Sequence, residues 1–203
     1  MWLKGIGRKM LPAASLWLAA CVLLMGTSAF SQERVKAETI EATARGTGTQ
    51  MGQMFGVKLI IYEYSTPEDR QTLVDAFKKA QNEGLVNALS KMRAVGRVSM
   101  TGTVGYDVSF IRMIPTPTGR KIRFVTNRRI TIGETWTDSR SQAFNLSAGE
   151  FDINEKDNDK STGALYPAAQ LIIDKEGQLQ FQLNQNPWQM VGIIVWKGTP
   201  GVN

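Results

Sequence analysis

Residues 95–126, VGRVSMTGTVGYDVSFIRMIPTPTGRKIRFVT, set the architecture that we expect for this chain. Three apolar, β-branched segments are separated there by short turns at residues 101–103 and 115–119. Turns this short join antiparallel strands, because a parallel connection needs a crossover of about a dozen residues or more. The stretch therefore predicts an antiparallel meander. Its three strands are Gly96–Met100, Val104–Ile114 and Arg120–Thr126.

Strand patterns continue on both sides of this meander. We expect them at Glu38–Arg45, Val57–Tyr64, Ile130–Trp136, Gln142–Ile153, Leu165–Ile173, Gln178–Leu183 and Trp188–Trp196. Short connections again favour antiparallel neighbours. A sheet of this size can curl or partly close on itself.

A helical region follows the second of these strands. Ser65 or Thr66 can cap the free backbone N–H groups of a helix, and Pro67 suits its first turn. Apolar residues recur at helical spacing after it, and residues 82–84, Asn-Glu-Gly, are expected to interrupt it. One long helix over residues 67–93 is the alternative, because an interior glycine costs only about 1 kcal/mol.

The fold class that follows is α+β. We expect eight or nine mostly antiparallel strands, in a curled or partly closed sheet, with a helical pair inserted after the second strand. Residues 32–203 are expected to form one domain, with loose ends at residues 32–37 and 198–203.

The first thirty residues have the order of a secretory signal peptide. Lys4, Arg8 and Lys9 form a basic start, residues 11–25 are apolar apart from one serine, and small residues follow at 26–29. The apolar core is shorter than the roughly 20 residues of a spanning helix, which favours a cleaved signal over a membrane anchor. We therefore expect a signal peptide over residues 1–31 and an exported bacterial protein, periplasmic or secreted.

Cys21 offers a third interpretation of this leader. Residues 18–21, Leu-Ala-Ala-Cys, resemble the box that precedes the lipidated cysteine of bacterial lipoproteins, and Cys21 would then carry the lipid anchor. However, residues 22–25 continue the apolar core where a lipoprotein normally turns polar. We therefore favour Cys21 as a small hydrophobic residue of the signal core. Membrane contact is expected only through the signal or a lipidated Cys21.

The composition excludes several kinds of chemistry. The 203 residues contain no histidine, so a Ser-His-Asp triad, a Cys-His pair and an imidazole metal ligand are ruled out. The single cysteine excludes a disulfide framework and a thiolate zinc site, and no cofactor is expected. Without the three basic residues of the leader, the net charge falls from +6 to +3. A nucleic-acid partner is therefore not expected.

A basic segment is the first candidate site. Residues 93–129 hold eight arginines and lysines and one acid, Asp107. Lys121 and Arg123 share one face of a strand, because side chains alternate along it. The residues that we expect to bind an anionic envelope component or an acidic protein surface are Arg112, Arg120, Lys121, Arg123, Arg128 and Arg129. The alternative is a solvated sheet face whose charges prevent aggregation.

An acidic loop is the second candidate. Oxygen ligands at this density can hold Ca²⁺. The possible ligands are Asp152, Asn154, Asp157, Asn158 and Asp159. The spacing does not fit an EF-hand, because Lys156 and Asp157 stand where an oxygen ligand and the turn glycine belong. A solvated acidic turn is the preferred interpretation.

Carboxylates and tryptophans supply the remaining candidates. Glu63, Asp107, Glu134 and Asp138 lie in or beside expected strands and could include the two carboxyls of a small hydrolase. Trp188 and Trp196 are eight residues apart, so on a regular strand they share a face, and we expect that face to be core.

Three functions remain open from the sequence. The leading one is a non-enzymatic binding module that uses the basic strands. The runner-up is a carboxylate-dependent, glycosidase-like hydrolase, and the third is a carrier with an apolar cavity inside a curved sheet.

Overall fold

A computed structural model of the protein describes residues 38–130, 145–173, 179–183 and 186–198. Within them, nine strands form one antiparallel sheet. They are β1 (Glu38–Arg45), β2 (Met54–Ile61), β3 (Gly96–Met100), β4 (Tyr106–Thr116), β5 (Gly119–Thr126), β6 (Leu146–Asn154), β7 (Thr162–Ile173), β8 (Leu179–Leu183) and β9 (Trp188–Lys197).

The sheet closes on itself. Its strand order is β6-β5-β4-β3-β2-β1-β9-β7-β8, and β6 also pairs with β7. Eight strands thus form a closed barrel. The ninth, β8, pairs with the second half of β7. The α+β class and the antiparallel pairing are confirmed, but the closure is more complete than the curled sheet that we expected. Of the strand expected at Ile130–Trp136, all but Ile130 lies outside the described residues.

One helix connects β2 to β3. This helix, α1 (Pro67–Leu89), begins with a capping box in which Thr66 Oγ1 accepts from the Asp69 N–H at 3.2 Å. Asp69 Oδ2 accepts in return from the Thr66 N–H at 2.8 Å. Non-helical backbone at Ala80 and Gln81 divides α1 into two helical segments across a kink, immediately before the interruption that we expected at residues 82–84.

The residue that follows the kink is bonded to the sheet. Asn82 Oδ1 accepts from the Leu171 N–H at 3.0 Å, and Asn82 Nδ2 donates to Asn145 Oδ1 at 2.8 Å. Gly84 also packs closely, since a Cβ there would lie 2.2 Å from the Ala76 carbonyl oxygen. Asn82 therefore anchors the second segment of α1 to the sheet, and Gly84 lets that segment lie close to the first.

The inside of the barrel is a packed apolar core. Alternate residues of the barrel strands point inward, and none of the largest among the described side chains is exposed to solvent. They include Ile40, Leu59, Ile61, Val98, Ile111, Ile122, Phe124, Phe151, Leu165 and Trp188. An eight-stranded barrel is just wide enough for its own side chains to fill it.

A second apolar cluster lies between the helix and the outside of the barrel. Four residues of α1, Leu73, Phe77, Leu85 and Leu89, are buried there. They pack with Leu146 and Leu171, and with the half-buried Phe110 and Val125. The helix thus covers one part of the outer wall of the barrel and leaves the outer faces of the other strands uncovered.

Three β-bulges change which side chains face the core. They lie in β4 between Val108 and Phe110, in β7 opposite Leu146 and Ala148, and in β9 between Val191 and Ile194. An extra residue in one strand switches every later side chain of that strand to the other face.

The bulge in β9 separates the two tryptophans. Gly192 has a φ of 60° there, a left-handed conformation that glycine adopts without steric cost. Trp188 is therefore fully buried, whereas Trp196 is 46% exposed. The prediction that both share a buried face is wrong, because it assumed a regular strand.

Candidate functional site

The outer face of β4, β5 and β6 brings together part of the basic segment. Arg112 of β4 lies opposite Arg123 of β5, and Arg123 lies opposite Glu150 of β6. In the next row, Lys121 lies opposite Asp152. We call these five residues the basic face.

A bulge directs Arg112 outward. Val108 and Ile111 are both buried although they are three residues apart, because the extra residue lies between them. β3 pairs with β4 only as far as Val108. Beyond that point Ser65 exchanges two hydrogen bonds with the backbone of Ile111, at 2.9 and 3.0 Å. These contacts hold the Arg112 backbone in its outward register.

Glu150 organises two of the three cations. It accepts a hydrogen bond from Lys121 Nζ at 2.7 Å and another from Arg123 Nε. Burial alone would raise the pKa of Glu150, but the hydrogen bonds and charges of Lys121 and Arg123 lower it below its ordinary value. The hydrogen bond with Glu150 likewise raises the pKa of Lys121. Glu150 and Lys121 are therefore both charged near neutral pH.

Arg112 has no such partner. Its side chain is exposed, and within the described residues it makes no hydrogen bond or ion pair. Its cross-strand neighbour is Arg123, whose side chain is 55% exposed. Like charges directly opposite each other on a sheet destabilise the fold. Glu150 offsets the charge of Arg123, so Arg112 contributes the unpaired positive charge of this surface.

Arg120 lies elsewhere, inside one end of the barrel. Its side chain is 14% exposed, and its two terminal nitrogens bind both carboxylate oxygens of Glu38, a residue that is itself buried. Tyr64 donates its hydroxyl to Glu38 at 3.0 Å, and Glu155 lies 3.3 Å from Arg120 Nε. Burial, followed by the charge of Glu38, raises the pKa of Tyr64. Arg120 is therefore part of a structural ion pair.

Arg128 and Arg129 also lie apart from the basic face. They follow β5 at the end of the barrel away from the β4–β5 hairpin. The Arg128 guanidinium stacks over the Tyr106 ring, 5.1 Å from its centroid. Of the six residues that the sequence suggested, the structure places Arg112, Lys121 and Arg123 on one surface.

The acidic loop uses its oxygens internally. Asn154 Oδ1 accepts from the N–H groups of Lys156 and Asp157, both at 3.0 Å. Asp157 pairs with Lys160 at 2.9 Å, and Asn158 donates to the Ile193 carbonyl at 2.8 Å. Among the described residues, no three acidic side chains are grouped as a metal site would need. Asp152 belongs to the basic face instead.

Two of the four carboxylates considered for a hydrolase are each paired with an arginine. Glu63 is paired with Arg93, and Asp107 is paired with Arg97 at 3.0 Å. Glu134 and Asp138 lie outside the described residues, as do Cys21 and the rest of the expected signal peptide.

Glu150 is the important residue that the sequence did not single out. The available indication was its spacing, because Glu150 and Asp152 alternate with the buried Phe151 and Ile153. That alternation predicts an acidic outer face on β6, but only the pairing of β6 with β5 shows which cations it meets.

Comparison with known proteins gave no match. No family model, no curated protein and no solved structure is significantly similar to this chain. Across the described part of the chain, every helix is too short or too polar to span a membrane.

Proposed function

We propose that this protein is an exported binding module whose basic face holds an anionic partner. The observation that carries the proposal is the pair formed by Arg112 and Arg123, two exposed guanidinium groups on adjacent strands. The partner would carry carboxylate, phosphate or sulfate groups, as an anionic polymer or lipid of the cell envelope does.

The geometry of the two arginines suits such groups. Cross-strand neighbours have Cβ atoms about 5 Å apart, so both guanidiniums can reach one anion or two adjacent anions. Arginine binds carboxylate and phosphate through two parallel hydrogen bonds. A bound anion would also relieve the repulsion between the two side chains.

The counter-ions support this role for Arg112 in particular. Lys121 is paired with both Glu150 and Asp152, and Arg123 is paired with Glu150. The Arg123 side chain is therefore held in place before a ligand binds. Arg112 retains its full charge for a partner. The basic face thus combines one restrained guanidinium with one free guanidinium.

The other two candidate functions have less support. A carrier needs an internal cavity, whereas large side chains fill the interior of this barrel. A carboxylate-dependent hydrolase needs two convergent acids, whereas Glu63 and Asp107 are each paired with an arginine.

Chromatography on immobilised heparin tests the proposal. The wild-type protein should be retained and should elute with salt, and the double variant Arg112→Gln/Arg123→Gln should elute much earlier. The control is Arg45→Gln/Lys79→Gln, which removes two exposed cations from β1 and α1. Vesicles with and without anionic lipid then distinguish a lipid partner from a polymer. Equal retention of the two double variants would contradict a specific basic face.

A further inference from the structure

A second group of outward side chains lies on strands β9, β1, β2 and β3. Ile194 lies opposite Glu41, and Glu41 lies opposite Lys58. With Thr43, Ser99 and Thr101 these residues line a shallow groove that is open to solvent. The groove belongs to a different part of the barrel wall from the basic face.

A glycine at the bulge of β9 helps to make this surface concave. Nothing lies within 4 Å of the position that a Cβ of Gly192 would take, whereas the Thr101 hydroxyl lies 2.7 Å from the corresponding position at Gly56. The depression has a volume of about 410 Å³. Small-molecule sites typically measure about 300 to 1,000 Å³.

The charges in the groove cancel. Lys58 Nζ lies 2.8 Å from Glu41 Oε1, and the hydrogen bond from Lys58 lowers the pKa of Glu41. The surface therefore attracts neither anions nor cations strongly. It still offers hydrogen bonds, because the hydroxyls of Thr43 and Ser99 have no partner within the described residues.

An aromatic ring borders the same groove. Trp196 is 46% exposed, and its indole N–H donates to Glu41 Oε2 at 3.4 Å. This bond ties the ring to the groove, and the exposed Ile194 adds apolar surface beside it. Together Trp196 and Ile194 present an apolar surface next to the hydrogen-bonding groups of Glu41 and Lys58.

We propose that this groove binds a neutral oligosaccharide. A pyranose ring has apolar C–H faces that stack on an indole, and hydroxyls at its edge that both donate and accept hydrogen bonds. A neutral ligand of this kind needs the mixed surface that Trp196, Glu41 and Lys58 provide. Anionic partners are proposed to bind the basic face instead.

Titration calorimetry with cellohexaose, maltohexaose and chitohexaose tests the proposal. At least one should bind, and Trp196→Ala should weaken its binding about tenfold, the loss expected for an aromatic stacking contact. Trp196→Phe keeps a ring and should retain most of the affinity. Val104→Ala, which trims another exposed apolar side chain, is the matched control and should bind as the wild type does.

A groove-filling variant separates binding from folding. Thr43→Tyr adds an aromatic ring to the lining of the groove, at an outward strand position where aromatic residues are well tolerated. We expect its melting temperature to be retained while oligosaccharide binding is lost. Binding should also be insensitive to salt and unchanged in Arg112→Gln/Arg123→Gln, so failure of one proposal does not imply failure of the other. No binding by any of the three sugars, or full binding by Trp196→Ala, would overturn the inference.

Discussion

Replacing Glu38 with glutamine tests how one end of the barrel is held together. The change keeps the shape of a side chain that is 6% exposed, but it leaves the Arg120 guanidinium buried beside a neutral amide. Removing one partner of a buried ion pair costs about 3 to 5 kcal/mol. Glu155 remains 3.3 Å from Arg120 and offsets part of this cost. We therefore expect a loss of about 3 kcal/mol and a fall in Tm of about 6 to 12 °C.

Urea unfolding followed through tryptophan fluorescence measures this loss. The control is Glu155→Gln, because Glu155 is half-exposed and its contact should contribute less than about 1 kcal/mol. The double variant Glu38→Leu/Arg120→Met should recover most of the stability, since it leaves no buried charge unpaired. The reasoning is refuted if Glu38→Gln loses less than about 1 kcal/mol, or if the double variant is the less stable of the two.

Three further predictions concern the core and the basic face. Trp188→Ala should cost about 3 to 5 kcal/mol in urea unfolding, whereas Trp188→Phe should cost less than about 1.5 kcal/mol; equal losses would contradict its place in the packed interior. Gly149→Ala would place a Cβ 2.2 Å from the Phe124 ring and should cost about 1 to 3 kcal/mol, so an unchanged melting temperature would count against this packing. The pKa of Glu150 is lowered on folding, so its contribution to stability should be present above its ordinary value of 4.5 and be lost as the pH falls below it. Glu150→Gln should reduce this acid-dependent loss in urea titrations at several pH values, and an unaltered pH profile would show that the ion pairs are not formed.

The strands that the sequence predicts well are those with regular alternation. The bounds expected for β1 and β3 agree with the structure, because apolar and polar residues alternate through both. Thr66 and Pro67 likewise indicate where α1 begins. Closure of the barrel depends instead on the pairing of β1 with β9, whose residues lie more than 140 positions apart in the sequence.

The alternation of side chains along a strand predicts only part of the arrangement of the basic residues. Arg120 alternates in phase with the buried Ile122 and Phe124, so the spacing alone indicates that it points inward. Its partner could not be identified, because Glu38 lies 82 residues away along the chain. Arg112 could not be placed either, since its orientation depends on the bulge in β4.

The salt dependence of heparin binding tests the central claim most directly. Each contact between a cation and a polyanion adds about 0.7 to 0.9 to the slope of log K against log salt concentration. Arg112→Gln/Arg123→Gln should therefore lower the slope by about 1.4 to 1.8, while Arg45→Gln/Lys79→Gln leaves it close to that of the wild type. A slope that both double variants reduce equally would contradict the assignment of anion binding to the basic face.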